Sequence, residues 1–124
     1  MKKVVARTLV AEKIKKYSVS VLLTNNRQIR KLNKAYLRHG YATDVISFPL
    51  ESQAGDVVLS VEMARSIARR LGIPFKEEIA RYLVHGVLHL LGYQDKRKRD
   101  KIKMRRRQEL ILKKLFHNLS SAKL

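Results

Sequence analysis

The 124-residue chain carries 28 Lys and Arg against 10 Asp and Glu, a formal charge of +18, far beyond what solubility of a small domain requires, so polyanions are the expected partners. Its length suits one domain over residues 1–124, and 45% apolar with 31% charged residues argues against a disordered tail or two independent cores. The absence of cysteine excludes disulfides, thiolate metal sites and a cysteine nucleophile; with Arg7 interrupting the start and no stretch of membrane-span length, the expectation is a soluble, unprocessed, cytoplasmic protein.

Residues 1–17 fit two descriptions, because Val5, Leu9, Val10 and Ile14 form a helical stripe while Val4-Val5 could begin an edge strand; a short helix is expected. Ser18–Thr24 alternates as a half-buried strand does and stops at Asn25-Asn26, either of which can cap a helix running through Tyr36. Its face would carry Ile29, Leu32, Asn33 and Tyr36. After a loop at residues 39–42, residues 44–49 (DVISFP) read as a strand ending at a proline, suited to an edge. Residues 51–55 read as a turn and residues 56–61 (DVVLSV) as the most apolar strand. Ser60 can cap a helix bearing Met63, Ile67 and Leu71, which Gly72 ends. Pro74 opens the next, with Glu77 and Glu78 at its positive end and Ile79, Leu83, Val87, Leu90 and Leu91 recurring until Gly92; this is the expected central buried helix. Residues 97–119 read as a terminal amphipathic helix, with Met104, Ile111, Leu112, Leu115, Phe116 and Leu119 on its apolar side. Helices and strands interleave without βαβ regularity, which predicts an α+β fold with a small mixed β-sheet packed with helices.

In His85-Gly86-Val87-Leu88-His89 the imidazoles lie four residues apart, on one helical face and within reach of a single metal ion. A third ligand would be rotated away if the helix continued, but Gly92 can adopt the left-handed conformation and turn Asp95 back toward the pair. His85, His89 and Asp95 then form the pattern of an open catalytic Zn2+ site, one ion per chain. Three protein ligands leave a place for a zinc-bound water, whose pKa falls toward about 7. The residues alone leave a plainer reading open, since histidines on an apolar helix are usually packed and hydrogen-bonded. Gly86 stands where H-E-x-x-H proteases have their Glu base, which disfavours peptide hydrolysis.

The run His85-Gly86-Val87-Leu88-His89-Leu90-Leu91-Gly92-Tyr93 resembles the signature of the YbeY family, bacterial metal-dependent endoribonucleases of ribosomal RNA maturation. Thr43-Asp44-Val45-Ile46-Ser47-Phe48-Pro49 and Gly55-Asp56-Val57-Val58-Leu59-Ser60 resemble that family's two strands before the site, and Leu32-Asn33 and Tyr36 fall where the family has Leu-Asn and Tyr. The resemblance implies an α+β domain, a zinc ion, single-stranded ribosomal RNA as substrate, and a role in 16S rRNA 3′-end maturation and ribosome quality control on the small subunit. Three departures stand out. Asp95 occupies the position of the family's third His ligand; carboxylate oxygen is an accepted zinc ligand, but its charge should raise the bound-water pKa relative to three imidazoles. Leu37 stands at the family's Arg after the Tyr, with Arg38 one place later, and Arg38 can take over only if the helix has ended. Ala42 replaces a Pro, and the N-terminal region looks shorter than usual.

The bases Lys96, Arg97, Lys98, Arg99, Lys101, Lys103, Arg105, Arg106 and Arg107, with Asp100 the only acid among them, would repel one another on a helix and are best stabilised by phosphates. RNA is the expected partner of this segment, with no DNA specificity; a solvated face or an anionic lipid surface are the alternatives, and no membrane is expected. Tyr41, Phe48 and Tyr93 are candidates for base stacking or core, and His39 and His117 read as surface residues. Together these features predict a single-strand-preferring, metal-dependent endoribonuclease with Arg38 as a catalytic candidate at the phosphate. Attack by metal-bound hydroxide or by the RNA 2′-hydroxyl is equally compatible. The competing prediction is a non-catalytic ribosome-assembly factor with a degenerate metal site.

Overall fold

The computed structural model describes residues 1–37, 45–51 and 53–116. The elements run α1 (Lys2–Ala11), β1 (Ser18–Thr24), α2 (Asn26–Leu37), β2 (Val45–Pro49), β3 (Ala54–Ser60), α3 (Val61–Leu71), α4 (Phe75–Leu90) and α5 (Lys98–Leu115). This is the expected α+β arrangement. The sheet is mixed, in the order β1-β3-β2: β1 runs parallel to β3 from Ser18↔Ala54 to Thr24↔Ser60, and β2 runs antiparallel from Val45↔Leu59 to Pro49↔Gly55. Pro49, which cannot donate to a ladder, therefore ends an edge strand, as its chemistry requires.

Strand β3 begins two residues earlier than its apolar pattern suggests and ends one earlier. Gly55 has low strand propensity and read as part of a turn, yet it pairs with both neighbours and lies under Leu90, whose side chain reaches into the space a Cβ would take. The hairpin closes through Leu50 N–H donating to the Ala54 carbonyl at 3.0 Å. At the other end Val61 already belongs to α3, because the Ser60 hydroxyl accepts the Met63 N–H at 3.1 Å and starts the helix. Gly72, at φ 68°, ends it. In the same way Asn25 caps α2 by accepting from Gln28 N–H at 2.9 Å.

Both faces of the sheet are covered. Val58 packs with Ile29 of α2 and Ile46 of β2 on one side. On the other, Val57 and Leu59 meet Leu83, Val87 and Leu90 of α4. Helix α1 forms as expected and lays Val5 and Leu9 on this core, while Val10, expected in the same stripe, is exposed. Helix α5 closes the far side of α4 with Met104, Ile111 and Leu112, all buried against Ala80, Val84 and Leu88. It starts at Lys98 and its described part ends at Leu115, whereas the sequence pattern continued to residue 119; residues 117–124 lie outside the described part.

Helix α4 is thus walled by the sheet, α1, α3 and α5. Gly86 allows this. A Cβ there would stand 2.6 Å from Val57 Cγ1 and 3.1 Å from Val45 Cγ2, and β-branched side chains in a packed sheet have nowhere to turn. The Ser47 hydroxyl also donates to the Gly86 carbonyl at 2.7 Å, fixing the helix to β2 at the same point. Gly86→Ala should therefore lower stability despite the better helix propensity of Ala. The propensity gain is about 1 kcal/mol, whereas overpacking costs about 1–3 kcal/mol. The urea midpoint should fall; an unchanged or raised midpoint would show that helix and sheet can separate without cost.

Candidate metal centre

Helix α4 presents His85 and His89 on an incompletely covered edge, with side chains 30% and 26% exposed. The helix ends in a paired return: Tyr93 N–H donates to the Leu88 carbonyl and Gly92 N–H to the His89 carbonyl, each at 3.0 Å, with Gly92 at φ 104°. A residue other than glycine is strained there. This turn delivers Asp95 to the histidines as the sequence predicted. His89 Nε2 lies 3.2 Å and His85 Nε2 4.0 Å from Asp95 Oδ2, and one ligand atom from each residue falls within 4.8 Å of the other two.

The proton positions follow from the partners of the other ring nitrogens. His89 Nδ1 lies 3.0 Å from the Tyr93 carbonyl, which only accepts, so Nδ1 carries the hydrogen. His85 Nδ1 lies 2.8 Å from Gln108 Oε1, and the same amide donates through Nε2 to Glu109 Oε2 at 3.0 Å, which fixes the amide's orientation. His85 Nδ1 is therefore also the donor. Both Nε2 atoms are then left toward the Asp95 carboxylate, close enough together for two ring nitrogens and a carboxylate oxygen to serve one cation. Tetrahedral zinc with bonds of about 2.0–2.1 Å needs ligand atoms roughly 3.3 Å apart; His89 and Asp95 stand at 3.2 Å already, and His85 meets the spacing by moving its side chain inward.

The support behind His85 was not legible in the sequence. Gln108 leads to Glu109, Glu109 receives Arg81 through two bonds of 2.9 Å, and Arg81 also donates to Glu77 at 3.2 Å and Glu78 at 3.0 Å. Arg81 is 3% exposed. Burial alone would depress its ionisation, but bonding and attraction to Glu109 and Glu78 outweigh that and hold it above its ordinary value. A second brace ties the return loop to α1: the Tyr93 hydroxyl donates to Glu12 Oε1 at 2.6 Å, and Glu12 also binds Arg107. The bond to Glu12, then burial, holds the Tyr93 phenol above its ordinary 10.0.

The basic residues divide by face. Lys98, Lys101 and Arg105 line a cavity of about 490 Å3 together with His85, Asp95 and Gln108. Arg99, Lys103 and Arg106 lie in a separate groove with Tyr93 and Ile102. Arg107, at that groove's edge, donates to Glu12 and to the Ala11 carbonyl. Lys96 and Arg97 are exposed in the turn before α5. Arg38, the sequence's catalytic candidate, lies outside the described residues, as do Tyr41, His39 and His117.

The family model described as Endoribonuclease YbeY matches residues 1–116. The chain belongs to this family. Among YbeY relatives, the endoribonuclease of Endomicrobium trichonymphae is 38% identical over 92% of this chain and 82% of its own length. That of Aquifex aeolicus is 40% identical over 78% of this chain and 69% of its own. A solution structure of a Thermotoga maritima protein shares the fold with a TM-score of 0.68 at 22% identity, covering 94% of this chain and 81% of that one. In this chain the HxxxH pair, His85 and His89, lies in α4.

Two outcomes test this geometry. Gln108→Leu should weaken metal binding about 10–100-fold by releasing the His85 ring, measured by competition with a chromogenic chelator; unchanged affinity would make Gln108 a bystander. Tyr93 favours its neutral form in the fold, so its contribution to stability is complete below pH 10.0, its ordinary value, and is lost as pH rises through the higher folded value. Glu12→Gln should move the phenol's absorbance titration down toward the ordinary value, and an unmoved titration would contradict the bond.

Proposed function

We propose that the protein is a metal-dependent endoribonuclease of ribosomal RNA processing, working on single-stranded RNA with one zinc ion held by His85, His89 and Asp95. The observation that carries this reading is the clustering of two imidazole nitrogens and a carboxylate oxygen close enough to serve one cation in a chain of the Endoribonuclease YbeY family. The donor set suits zinc, being two borderline nitrogens and one oxygen with no sulfur. When bound, zinc supplies Lewis acidity and the means of making hydroxide available near neutral pH.

The chain's own residues do the rest. His85 is held in its tautomer by Gln108, and His89 by the Tyr93 carbonyl, so both rings present Nε2 without a search over rotamers. Asp95, 44% exposed, leaves the site open to the basic cavity, where an RNA phosphate is drawn in and its charge offset by Lys98, Lys101 and Arg105. Arg38 is the further candidate for the phosphate, and the remaining bases from Lys96 to Arg107 add to the field that attracts a polyanion. The cellular setting in this reading is the cytoplasm and the small ribosomal subunit; among the described residues, no helix is long and apolar enough to cross a membrane. The clustered donor atoms favour a working metal site over a non-catalytic assembly factor.

The purified protein should contain about one zinc per chain, and a chelator should both abolish cleavage of single-stranded rRNA fragments and lower the melting temperature, because the ion binds the folded state. His85→Ala and His89→Ala should lose the metal. Asp95→Ala should weaken it markedly, while Asp95→His, which supplies another nitrogen donor, should keep it. Protein free of stoichiometric metal, or cleavage indifferent to chelator, would refute the reading; Asp95→Ala binding zinc as tightly as the parent would remove Asp95 from the ligand set.

A further inference from the structure

The very basic helix α5 does not offer a uniform surface. Lys98, Lys101 and Arg105 are spaced at i, i+3 and i+7 and share one face, a strip about 10 Å long at 1.5 Å per residue. All three are exposed, and among the described residues none of them has a carboxylate partner. They line the same cavity as His85 and Asp95, so the strip lies alongside the candidate metal ligands. The cavity's other cation, Arg81, is committed to Glu77, Glu78 and Glu109. A cavity of about 490 Å3 is the size of a small-molecule site, and its α5 wall presents three cations in a lining that also holds the carboxylate of Asp95 and the His85 ring.

Resting on the reading of the protein as an RNA-cleaving enzyme, we infer that this strip is a phosphate subsite. Lys98, Lys101 and Arg105 hold backbone phosphates of a single RNA strand on one side of the bond placed at His85, His89 and Asp95. Arg105 can clamp a phosphate through two parallel N–H bonds, and the lysines act as point charges. Arg99, Lys103 and Arg106 face a different groove that contains none of the metal ligands. They add to the long-range attraction but touch no phosphate of the strand in the site. The division predicts that equal losses of charge have unequal effects, which a diffuse electrostatic surface cannot produce.

The test compares two charge-matched triple variants of the full, zinc-loaded chain: Lys98→Gln, Lys101→Gln, Arg105→Gln, and Arg99→Gln, Lys103→Gln, Arg106→Gln. All six residues are exposed, and circular dichroism establishes that both variants fold. Binding of a fluorescein-labelled single-stranded 2′-O-methyl RNA is followed by anisotropy across a salt series, and cleavage of the unmodified strand is followed separately. The cavity triple should lose at least about ten-fold in affinity and about 2 from the slope of log K against log salt, at roughly 0.7 per phosphate contact. The groove triple should lose no more than about three-fold and keep most of the slope. Equal losses, or the larger loss in the groove triple, would overturn the subsite, as would an unmutated chain that does not bind the strand. If the unequal binding appears in a chain that does not cleave, the subsite stands and the endoribonuclease reading falls; if cleavage is present and the two triples bind alike, the reverse holds.

Discussion

The missing side chain at Gly86 lets helix α4 rest directly on Val57 and Val45, and the Ser47 hydroxyl fastens the same carbonyl. Everything chemical follows from that contact. With one face pressed to the sheet and others covered by α1, α3 and α5, the second half of α4 leaves His85 and His89 part-exposed along one edge. A bulkier residue would tilt or lift the helix and misdirect both rings together, because they lie one turn apart on the same rigid element. The glycine that excludes a protease-type Glu base is also the one the packing needs.

The sequence revealed elements whose signal is local. The HxxxH spacing, the Gly92 return and the Ser60 cap each depend on residues a few positions apart, and each lies where its chemistry indicated. Strand β3 was displaced at its start because Gly55 reads as a turn former, whereas its place in the ladder comes from pairing with Val19 and Pro49, and its missing side chain makes room for Leu90, far along the chain. The support of the histidines was invisible for the same reason. Gln108 follows a run of bases on an amphipathic helix, and Arg81 looks like a stray charge on an apolar one. Only the packing of α4 against α5 reveals that they belong to one chain of bonds ending at His85. Nor could a run of nine bases show which of them face the site, since that depends on how α5 is rolled against α4.

Two kinds of electrostatics coexist within this small fold. Buried charge is compensated: Arg81 is surrounded by three carboxylates, and Glu12 receives both Tyr93 and Arg107. Such pairs stiffen the frame, and breaking one leaves a buried charge without its partner, a costly change even where the intact pair adds little stability. Exposed charge on α5 is left uncompensated, and its mutual repulsion is relieved when a polyanion binds. The candidate metal ligands sit on the boundary between these regimes, rigidly backed on one side and open to the basic cavity on the other.

The central claim is that His85, His89 and Asp95 hold one metal ion from α4 and its return loop. X-ray absorption at the zinc edge of the loaded protein reads those ligands directly. The account predicts scattering from two imidazoles with nitrogen and oxygen at about 2.0–2.2 Å and no sulfur, and the loss of one imidazole contribution in His85→Ala titrated with zinc. A first shell without imidazole scattering, or one unchanged by that substitution, would contradict it.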